Sequence, residues 1–179
     1  MADGLLDAVR VLDLSDGAAD AVTRLFADLG ADVLKVEPPG GSAARGTSPT
    51  LAGVSIPFAV HNANKRSAVL DPHDESDRRR LLELAETADI VVDTGLSGAF
   101  GTTAPELADR YGQLVVVSIT DFGATGPRST WRATDPVLYA MCGALSRSGP
   151  TLGTPVLPPD GIASATAAVQ AAWAALVIS

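Results

Sequence analysis

The sequence has few of the residues that metal centres and disulfide frameworks require. Its 179 residues include one cysteine, Cys142, and two histidines, His61 and His73. These three are too few and too scattered for a metal-ligand cluster, so we expect no metal site. A single cysteine excludes an intramolecular disulfide and is typical of a reducing compartment, so we expect a cytoplasmic protein. Because Cys142 lies within an apolar helical pattern, we interpret it as a small buried hydrophobe rather than a nucleophile.

Long apolar runs, an excess of basic residues and a secretion signal are also absent. No stretch of about 20 uncharged apolar residues occurs, and the first residues lack the basic start and unbroken apolar run of a signal peptide. With 21 Asp and Glu against 13 Lys and Arg, the net charge is −8. We therefore expect neither a membrane span nor a nucleic-acid-binding surface. Aromatic residues make up only 4%, so we expect a core of mostly Val, Leu, Ile and Ala.

Residues 9–37 are predicted to form one strand–helix–strand unit, around which the rest of the chain is organised. Strand-forming residues at both ends flank a segment with apolar residues at helical spacing, which stops at Gly30. Two strands joined by a helix lie parallel, with a right-handed crossover. Because ligands bind beyond the carboxyl ends of such strands, the pattern predicts a site near residues 15–19 and 37–41.

The rest of the chain continues the alternation of strands and helices. Strands are predicted at residues 67–71, 89–93 and 113–120, and helices at residues 75–88, 104–112, 135–149 and 162–179. This order is typical of an α/β fold whose parallel sheet is covered by helices on both faces. Residues 38–57, rich in Gly, Pro, Ser and Thr, are predicted to be a long loop. The last helix is apolar all round, so we expect another chain, or a further part of a longer sequence, to cover it.

Few residue patterns in the chain indicate chemistry by themselves. The sequence has no G-x-S-x-G segment for a serine nucleophile and no complete G-x-G-x-x-G segment for a dinucleotide site. Lys65 and Arg66, in the segment NANKRS, form either a phosphate site at the mouth of a strand or a solvated basic pair, and the spacing leaves both open. Asp160 precedes the last helix. Its position favours an N-terminal helix cap over a carboxylate nucleophile that attacks an acyl carbon.

Four segments of the sequence match the pattern of a known family. They are LDAVRVLDLSDGAADAVTRLFADLGADVLKVEPPGG, HNANKRSAVLD, VVVSITDFGATGP and TDPVLYAMCGALSRSG. In these segments the chain resembles the N-terminal half of the class III CoA-transferases, which include formyl-CoA transferase, carnitine CoA-transferase and α-methylacyl-CoA racemase. The resemblance runs from about residue 5 to the last residue. It implies an α/β fold with a Rossmann-like parallel sheet and helices on both faces.

The resemblance also implies a domain organisation, substrates and an assembly. Residues 1–160 are expected to form a Rossmann-like CoA-binding domain, and residues 161–179 a helix that leads into a second domain, which is missing here. The expected substrates are an acyl-CoA and a carboxylic acid, with coenzyme A bound as part of the substrate. Members form homodimers whose full-length chains are interlocked, so we expect a second copy of this chain as the partner.

Candidate site residues follow from the same resemblance. Asp160 matches the aspartate that attacks the acyl-CoA thioester to form a mixed anhydride, and Asp135 lies at an acidic position close to the catalytic pocket. The positions predicted to contact CoA, with the basic pair of the NANKRS segment among them, are Lys65, Arg66, Leu70, Asp71, Pro72, His73, Thr94, Gly95, Leu96 and Arg132.

Several positions depart from the family pattern. Pro38 and Thr102 stand where arginines are common, and Thr94 replaces a usual asparagine. Loss of two charge-assisted contacts, worth about 1.5–3 kcal/mol each, would weaken CoA binding. Thr134 stands where the racemases have a histidine, and threonine cannot act as a base near pH 7, so racemase activity is disfavoured. Two hypotheses stay open: a CoA-transferase with Asp160 as nucleophile, and a non-catalytic or truncated module with weakened CoA binding and a structural or interaction role.

Overall fold

Seven strands in two sheets are present in the computed structural model, which describes residues 4–178. The strands are β1 (Arg10–Leu14), β2 (Asp32–Glu37), β3 (Thr50–Leu51), β4 (Val54–Ser55), β5 (Arg66–Val69), β6 (Ile90–Asp93) and β7 (Val115–Ser118). Five of them form a parallel sheet in the order β5-β2-β1-β6-β7, while β3 and β4 form an antiparallel hairpin. The prediction of an α/β fold with a parallel sheet is confirmed.

Seven α-helices are present within the described residues, and the last two follow the final strand. They are α1 (Asp20–Asp28), α2 (Ile56–Asn62), α3 (Glu75–Glu86), α4 (Leu96–Ala99), α5 (Ala104–Arg110), α6 (Asp135–Met141) and α7 (Ile162–Ile178). The predicted helices that follow β1, β5 and β6 are therefore confirmed as α1, α3 and α5. The predicted last helix is confirmed up to residue 178, and its final residue, Ser179, lies outside the described residues.

The segment between β2 and β5 is more ordered than predicted. Residues 38–57 contain the β3–β4 hairpin and the start of α2 rather than one long loop. Ala52 and Gly53 link the hairpin strands with positive φ angles of 49° and 81°, which suit a tight two-residue turn. The Ser55 side chain then caps α2 by accepting a hydrogen bond of 3.2 Å from the Phe58 amide. Composition alone marked this segment as a loop, because hairpin turns and helix caps use the same small polar residues.

The helix predicted over residues 135–149 is shorter in the structure. It ends at Met141, because Gly143 adopts a left-handed conformation (φ 81°) that turns the chain into a short 3-10 segment. Val137 and Met141 of this helix are 44% and 49% exposed. Cys142 is also exposed. The interpretation of Cys142 as a buried hydrophobe is therefore wrong, since the helical periodicity does not extend through that residue.

Two hydrophobic cores lie on opposite faces of the parallel sheet. Val11 of β1 contributes to the first core with α1 and α7, and its neighbour Leu12 contributes to the second with α3 and α5. This alternation follows from the two-residue period of a strand. The sheet is covered on both faces, as predicted.

The last helix, α7, places small residues against the sheet and large residues in solvent. Ala168, Ala172 and Ala175 belong to the first core, whereas Val169 is 55% and Trp173 68% exposed. Alanines let α7 approach the sheet closely and lie against α1. Among the described residues, no helix combines the length and the apolar character that crossing a bilayer requires. The division of the chain at residue 160 stays a prediction.

Two buried ion pairs lie at the carboxyl end of β1. The Lys35 ammonium contacts a carboxylate oxygen of Asp20 at 2.7 Å, and the Lys65 ammonium contacts Asp13 at 2.9 Å. All four side chains are at most 2% exposed. The charges balance, which is the condition under which ions are tolerated in a protein interior.

Neutral groups complete the hydrogen bonding of this buried cluster. Asp13 accepts hydrogen bonds from Thr23 and from the amide and hydroxyl of Ser15. Lys65 donates to Asp13, to the Asp20 carbonyl and to the Asn62 side chain, which uses all three ammonium protons. Burial lowers the pKa of Lys65, and the Asp13 charge opposes this effect. The phosphate hypothesis for Lys65 is therefore not supported, because the group is committed to the interior.

Lys65→Met should be strongly destabilising, because it keeps the aliphatic stem but leaves Asp13 with only the more distant Lys35 ammonium, at 4.0 Å. We expect the free energy of unfolding to fall by about 3 kcal/mol or more. The neighbouring variant Arg66→Met is the matched control. Arg66 pairs with Asp32 on the surface, and both side chains are about half exposed or more, so its loss should cost about 1 kcal/mol or less. Urea unfolding measures both, and equal losses for the two variants would contradict the assignment.

Candidate active site

A cleft lies at the carboxyl edge of the sheet. It is lined by Asp16, Ala18 and Ala19 from the first of the two predicted segments, but by none of residues 37–41 from the second. Its inner part is a cavity of about 370 Å³ between the turn after β1, the ends of β6 and β7, and helix α7. Thr94, Asp121, Arg132 and Ser164 supply polar groups, and small apolar residues of α1 and α7 line much of the rest. Such an apolar recess with a few polar groups is typical of a small-molecule site.

A second cavity of about 780 Å³ adjoins the first towards the start of α7. The two share lining residues, among them Asp121 and Ser164, and therefore form one cleft. The second cavity is also lined by Asp135 and Asp160. The cleft thus brings together four of the predicted site residues, two of which are carboxylates.

Asp135 caps the amino end of α7 from outside that helix. Its carboxylate accepts hydrogen bonds from the Ser164 amide and hydroxyl, both at 2.7 Å, and from the Ala163 amide at 3.2 Å. Partial burial raises the pKa of Asp135, but the bonds from Ser164, Ala163 and Gly161 outweigh it and hold this pKa below its ordinary value. The cap expected at Asp160 is therefore provided by Asp135.

Asp160 is exposed at the mouth of the cleft. Within residues 4–178, its carboxylate forms no hydrogen bond or ion pair. The backbone before Asp160 is restricted all the same, since the rings of Pro158 and Pro159 fix the φ angles of these two residues. Asp160 thus combines an available carboxylate with a constrained position.

The turn after β6 is held by a buried carboxylate. Asp93, 2% exposed, accepts hydrogen bonds from the amides of Gly95 and Ser97 and from the Ser97 hydroxyl. Gly95 has a φ of 108°, a conformation that disfavours a side chain. The turn places Thr94 on the wall of the inner cavity. Gly95 precedes α4, and Leu96, the first residue of that helix, packs against the second hydrophobic core.

The predicted CoA segment at residues 70–73 lies apart from the cleft. It follows β5, which is separated from β6 by β2 and β1, so the lateral distance between their ends is roughly 14 Å at the usual strand spacing. Leu70 is buried, Pro72 is half-buried and His73 is exposed. Asp71 fixes this turn by accepting a hydrogen bond from the His73 amide. Only an elongated ligand could contact both this segment and the cleft.

Arg66 lies at the other end of β5 from that segment. It is the first residue of the strand and forms a two-bond ion pair with Asp32, the first residue of β2. Parallel strands place these residues at the amino edge of the sheet, opposite the cleft. The structure therefore agrees with the solvated alternative for Arg66 rather than with a phosphate contact at the cleft.

The loop after β2 is organised by Glu37. Its buried carboxylate accepts two hydrogen bonds from Arg45, at 2.6 and 2.7 Å, and further bonds from the Ser67 hydroxyl and the Ser42 amide. These bonds, chiefly those from Arg45, outweigh the effect of burial and lower the pKa of Glu37 to about 2. Arg45 also lies over the Phe58 ring. It is therefore paired within this loop, although about half of its side chain is exposed.

Sequence reasoning missed Asp121 and Ser164, which line both parts of the cleft. Asp121 also accepts a hydrogen bond of 2.9 Å from the Ala133 amide, which ties together the two ends of the loop after β7. Its place just beyond the carboxyl end of β7 was a usable signal, because that edge is where ligands bind. Ser164 had no such signal, since its role depends on contact with Asp135.

Comparison with known proteins gives consistent matches. The family model described as CoA-transferase family III matches residues 6–178. The chain is 76% identical over 174 residues to the probable CoA-transferase Rv1866 of Mycobacterium tuberculosis, covering 93% of this chain and 22% of that protein. It is 36% identical over 156 residues to the formyl-CoA:oxalate CoA-transferase of Streptomyces avermitilis, covering 84% of this chain and 38% of that protein.

A solved structure agrees with the sequence matches. The crystal structure of a CAIB/BAIF family protein from Brucella suis superposes with a TM-score of 0.84 at 29% identity, covering 98% of this chain and 50% of that one. The chain therefore spans half or less of the length of the proteins that it matches here.

Glu37→Gln should reduce stability by an amount that depends on pH. The pKa of Glu37 is about 2 in the folded protein against an ordinary value of 4.5, so its stabilisation is fully present above about pH 4.5 and is lost as the pH falls towards 2. Allowing for the half-exposed Arg45, we expect the variant to lose on the order of 2 kcal/mol of unfolding free energy at pH 7.

Urea unfolding between pH 7 and pH 2.5 tests this prediction. The difference between the wild type and Glu37→Gln should shrink as the pH falls. Glu86→Gln, a change at an exposed residue of α3, is the matched control and should differ little from the wild type throughout. A stability difference for Glu37→Gln that stays constant over this range would contradict the role given to the carboxylate.

Proposed function

This chain belongs to CoA-transferase family III, and we propose that it carries the CoA-binding part and the nucleophile of an enzyme that moves CoA from an acyl-CoA to a carboxylic acid. The chain spans half or less of the length of its compared relatives. In this proposal, residues from outside the chain complete the acceptor pocket, and the whole enzyme is a homodimer.

The observation that carries this proposal is the difference between the two carboxylates of the cleft. Asp135 is committed to the amino end of α7, whereas Asp160 is exposed and uncommitted among the described residues. A nucleophilic carboxylate needs an available oxygen lone pair and a fixed position. Asp160 has both, so we assign it the nucleophilic role.

In the first half of the proposed reaction, Asp160 attacks the thioester carbonyl carbon of the acyl-CoA. The carbon–sulfur bond breaks, CoA leaves as the thiolate, and a mixed anhydride forms between the acyl group and Asp160. The thiolate then attacks the Asp160 carbonyl carbon. This breaks the anhydride, releases the donor acid and leaves an Asp160–CoA thioester.

The second half repeats these steps with the acceptor acid. The acceptor carboxylate attacks the Asp160 thioester, and the thiolate leaves again as a second anhydride forms. Attack of the thiolate on the acceptor acyl carbon then gives the new acyl-CoA and restores the Asp160 carboxylate. The tetrahedral intermediates and the released thiolate are anionic, and Arg132 on the cleft wall supplies a positive charge near them.

The proposed path of CoA follows the carboxyl edge of the sheet. CoA is elongated, with a nucleotide at one end and the reactive thiol at the other. In our proposal the nucleotide lies along residues 70–73, and the pantetheine arm passes the turn at Thr94 and Leu96 to reach the cleft. Arg132 then lies near the thioester end.

Asp160→Ala should abolish acyl exchange while CoA binding and stability persist. The carboxylate forms no bond among the described residues, so its removal costs little structure, yet no other group takes its place as nucleophile. With formyl-CoA as donor and oxalate as acceptor, the pair named for one relative, we expect the rate to fall about 1,000-fold or more. Calorimetric titration should give an unchanged Kd for CoA.

Asp109→Ala, at an exposed position of α5, is the control and should retain the wild-type rate. Trapping with hydroxylamine tests the covalent step directly, since an activated Asp160 becomes a hydroxamate that mass spectrometry can locate. Exchange at the wild-type rate in Asp160→Ala would contradict the proposal. Absence of CoA binding in the wild type would favour the alternative of a non-catalytic module, which the residues at Pro38, Thr94 and Thr102 motivate.

A further inference from the structure

The amino end of α7 lacks a capping side chain of its own. The residue before the helix is Gly161, whose carbonyl accepts the first helical hydrogen bond, from the Ala165 amide at 2.8 Å. Glycine has no side chain to accept bonds from the amides of the first turn. A Ser, Thr or Asp usually does so at this position, and its absence costs helix stability. The φ of 92° at Gly161 disfavours any such residue there.

Asp135 supplies the missing acceptor from another element. It is the first residue of α6, 28 positions earlier in the chain than Ala163. One carboxylate oxygen accepts bonds from the Ser164 amide and hydroxyl, and the other accepts from the Ala163 amide. These amides belong to the second and third residues of α7, which are the donors that an N-terminal cap normally satisfies.

Asp135 is itself tied to the sheet edge. Ala133, two residues before it, donates its amide to Asp121, which follows β7. The loop after β7 is therefore connected to the first turn of α7 by hydrogen bonds at Asp121 and at Asp135, with the backbone of residues 133–135 between them. Asp160 lies directly before that turn, with only Gly161 between it and the helix.

We propose that Asp135 is the positioning residue of Asp160: by holding the first turn of α7, it fixes the chain segment that presents the Asp160 carboxylate to the cleft. This inference rests on the proposed function for the nucleophilic role of Asp160. Asp135 acts through α7 and does not itself react, because both of its oxygens are occupied by the helix.

Two variants of Asp135 distinguish a positioning role from that of a catalytic acid or base. Asparagine keeps an oxygen that can accept the two shorter bonds from Ser164, whereas alanine keeps none. In single-turnover transfer of formyl from formyl-CoA to Asp160, we expect Asp135→Ala to be about 10- to 100-fold slower, as for a nucleophile displaced by about 1 Å. Asp135→Asn should stay within about 3-fold of the wild type, with an unchanged pH profile, and neither variant should change the Kd for CoA.

Two kinetic outcomes would overturn the inference. A loss in Asp135→Asn as large as in Asp135→Ala would show that the charge or proton of Asp135 is needed, which is a catalytic role. A wild-type rate in Asp135→Ala would show that the cap does not position the nucleophile. Asp109→Ala serves again as the control for loss of a surface carboxylate.

Amide hydrogen exchange provides a measurement that does not depend on activity. The amides of Ala163 and Ser164 should exchange about 10-fold faster or more in Asp135→Ala than in the wild type, and near the wild-type rate at Ser164 in Asp135→Asn. Unchanged protection in Asp135→Ala would overturn the inference. If Asp160→Ala retains activity, the proposed function fails instead, and the exchange data still decide whether Asp135 anchors α7.

Discussion

The buried ion pairs of Asp13 with Lys65 and of Asp20 with Lys35 are the constraint on which the carboxyl edge depends. They join the end of β1, the start of α1, the middle of β2 and the segment before β5. Lys35 also donates a hydrogen bond to the Ser15 carbonyl. This bond anchors the turn after β1, where the cleft wall begins. Burying four charges is tolerable only when all are paired, so the elements that carry them must assemble together.

Carboxylates that accept several hydrogen bonds also fix other turns at this edge of the sheet. Glu37 organises the loop after β2, Asp93 the turn after β6, and Asp135 the start of α7, each by accepting several hydrogen bonds from donors of its own turn or of a neighbouring element. Asp93 and Asp135 shape the cleft because the segments that they hold contribute Thr94 and Ser164 to its lining. Asp160 differs from all of them in being uncommitted among the described residues. In the function proposed above, that contrast separates the nucleophile from its scaffold.

The sequence predicted the framework well where the signal is local. The strand–helix–strand unit at residues 9–37 and the helix after β5 have strong periodicity, and both are confirmed. Predictions failed where small polar residues or glycines admit several conformations. The segment at residues 38–57 turned out to contain a hairpin and a helix start, and Gly143 shortened the helix that begins at Asp135. In these cases the conformation depends on single φ angles and caps that periodicity does not report.

By itself the sequence determined the fold class, the edge of the sheet where the cleft lies, and the family resemblance, because these depend on periodicity, strand direction and residue order. Only the tertiary structure showed that Lys65 forms a buried ion pair and Arg66 an exposed one. Two adjacent residues of a chain can lie one in the interior and one in solvent. The tertiary structure likewise assigned the helix cap to Asp135 rather than Asp160. Both decisions depend on partners at least 28 positions away in the chain, and no local pattern encodes which distant donor a carboxylate will meet.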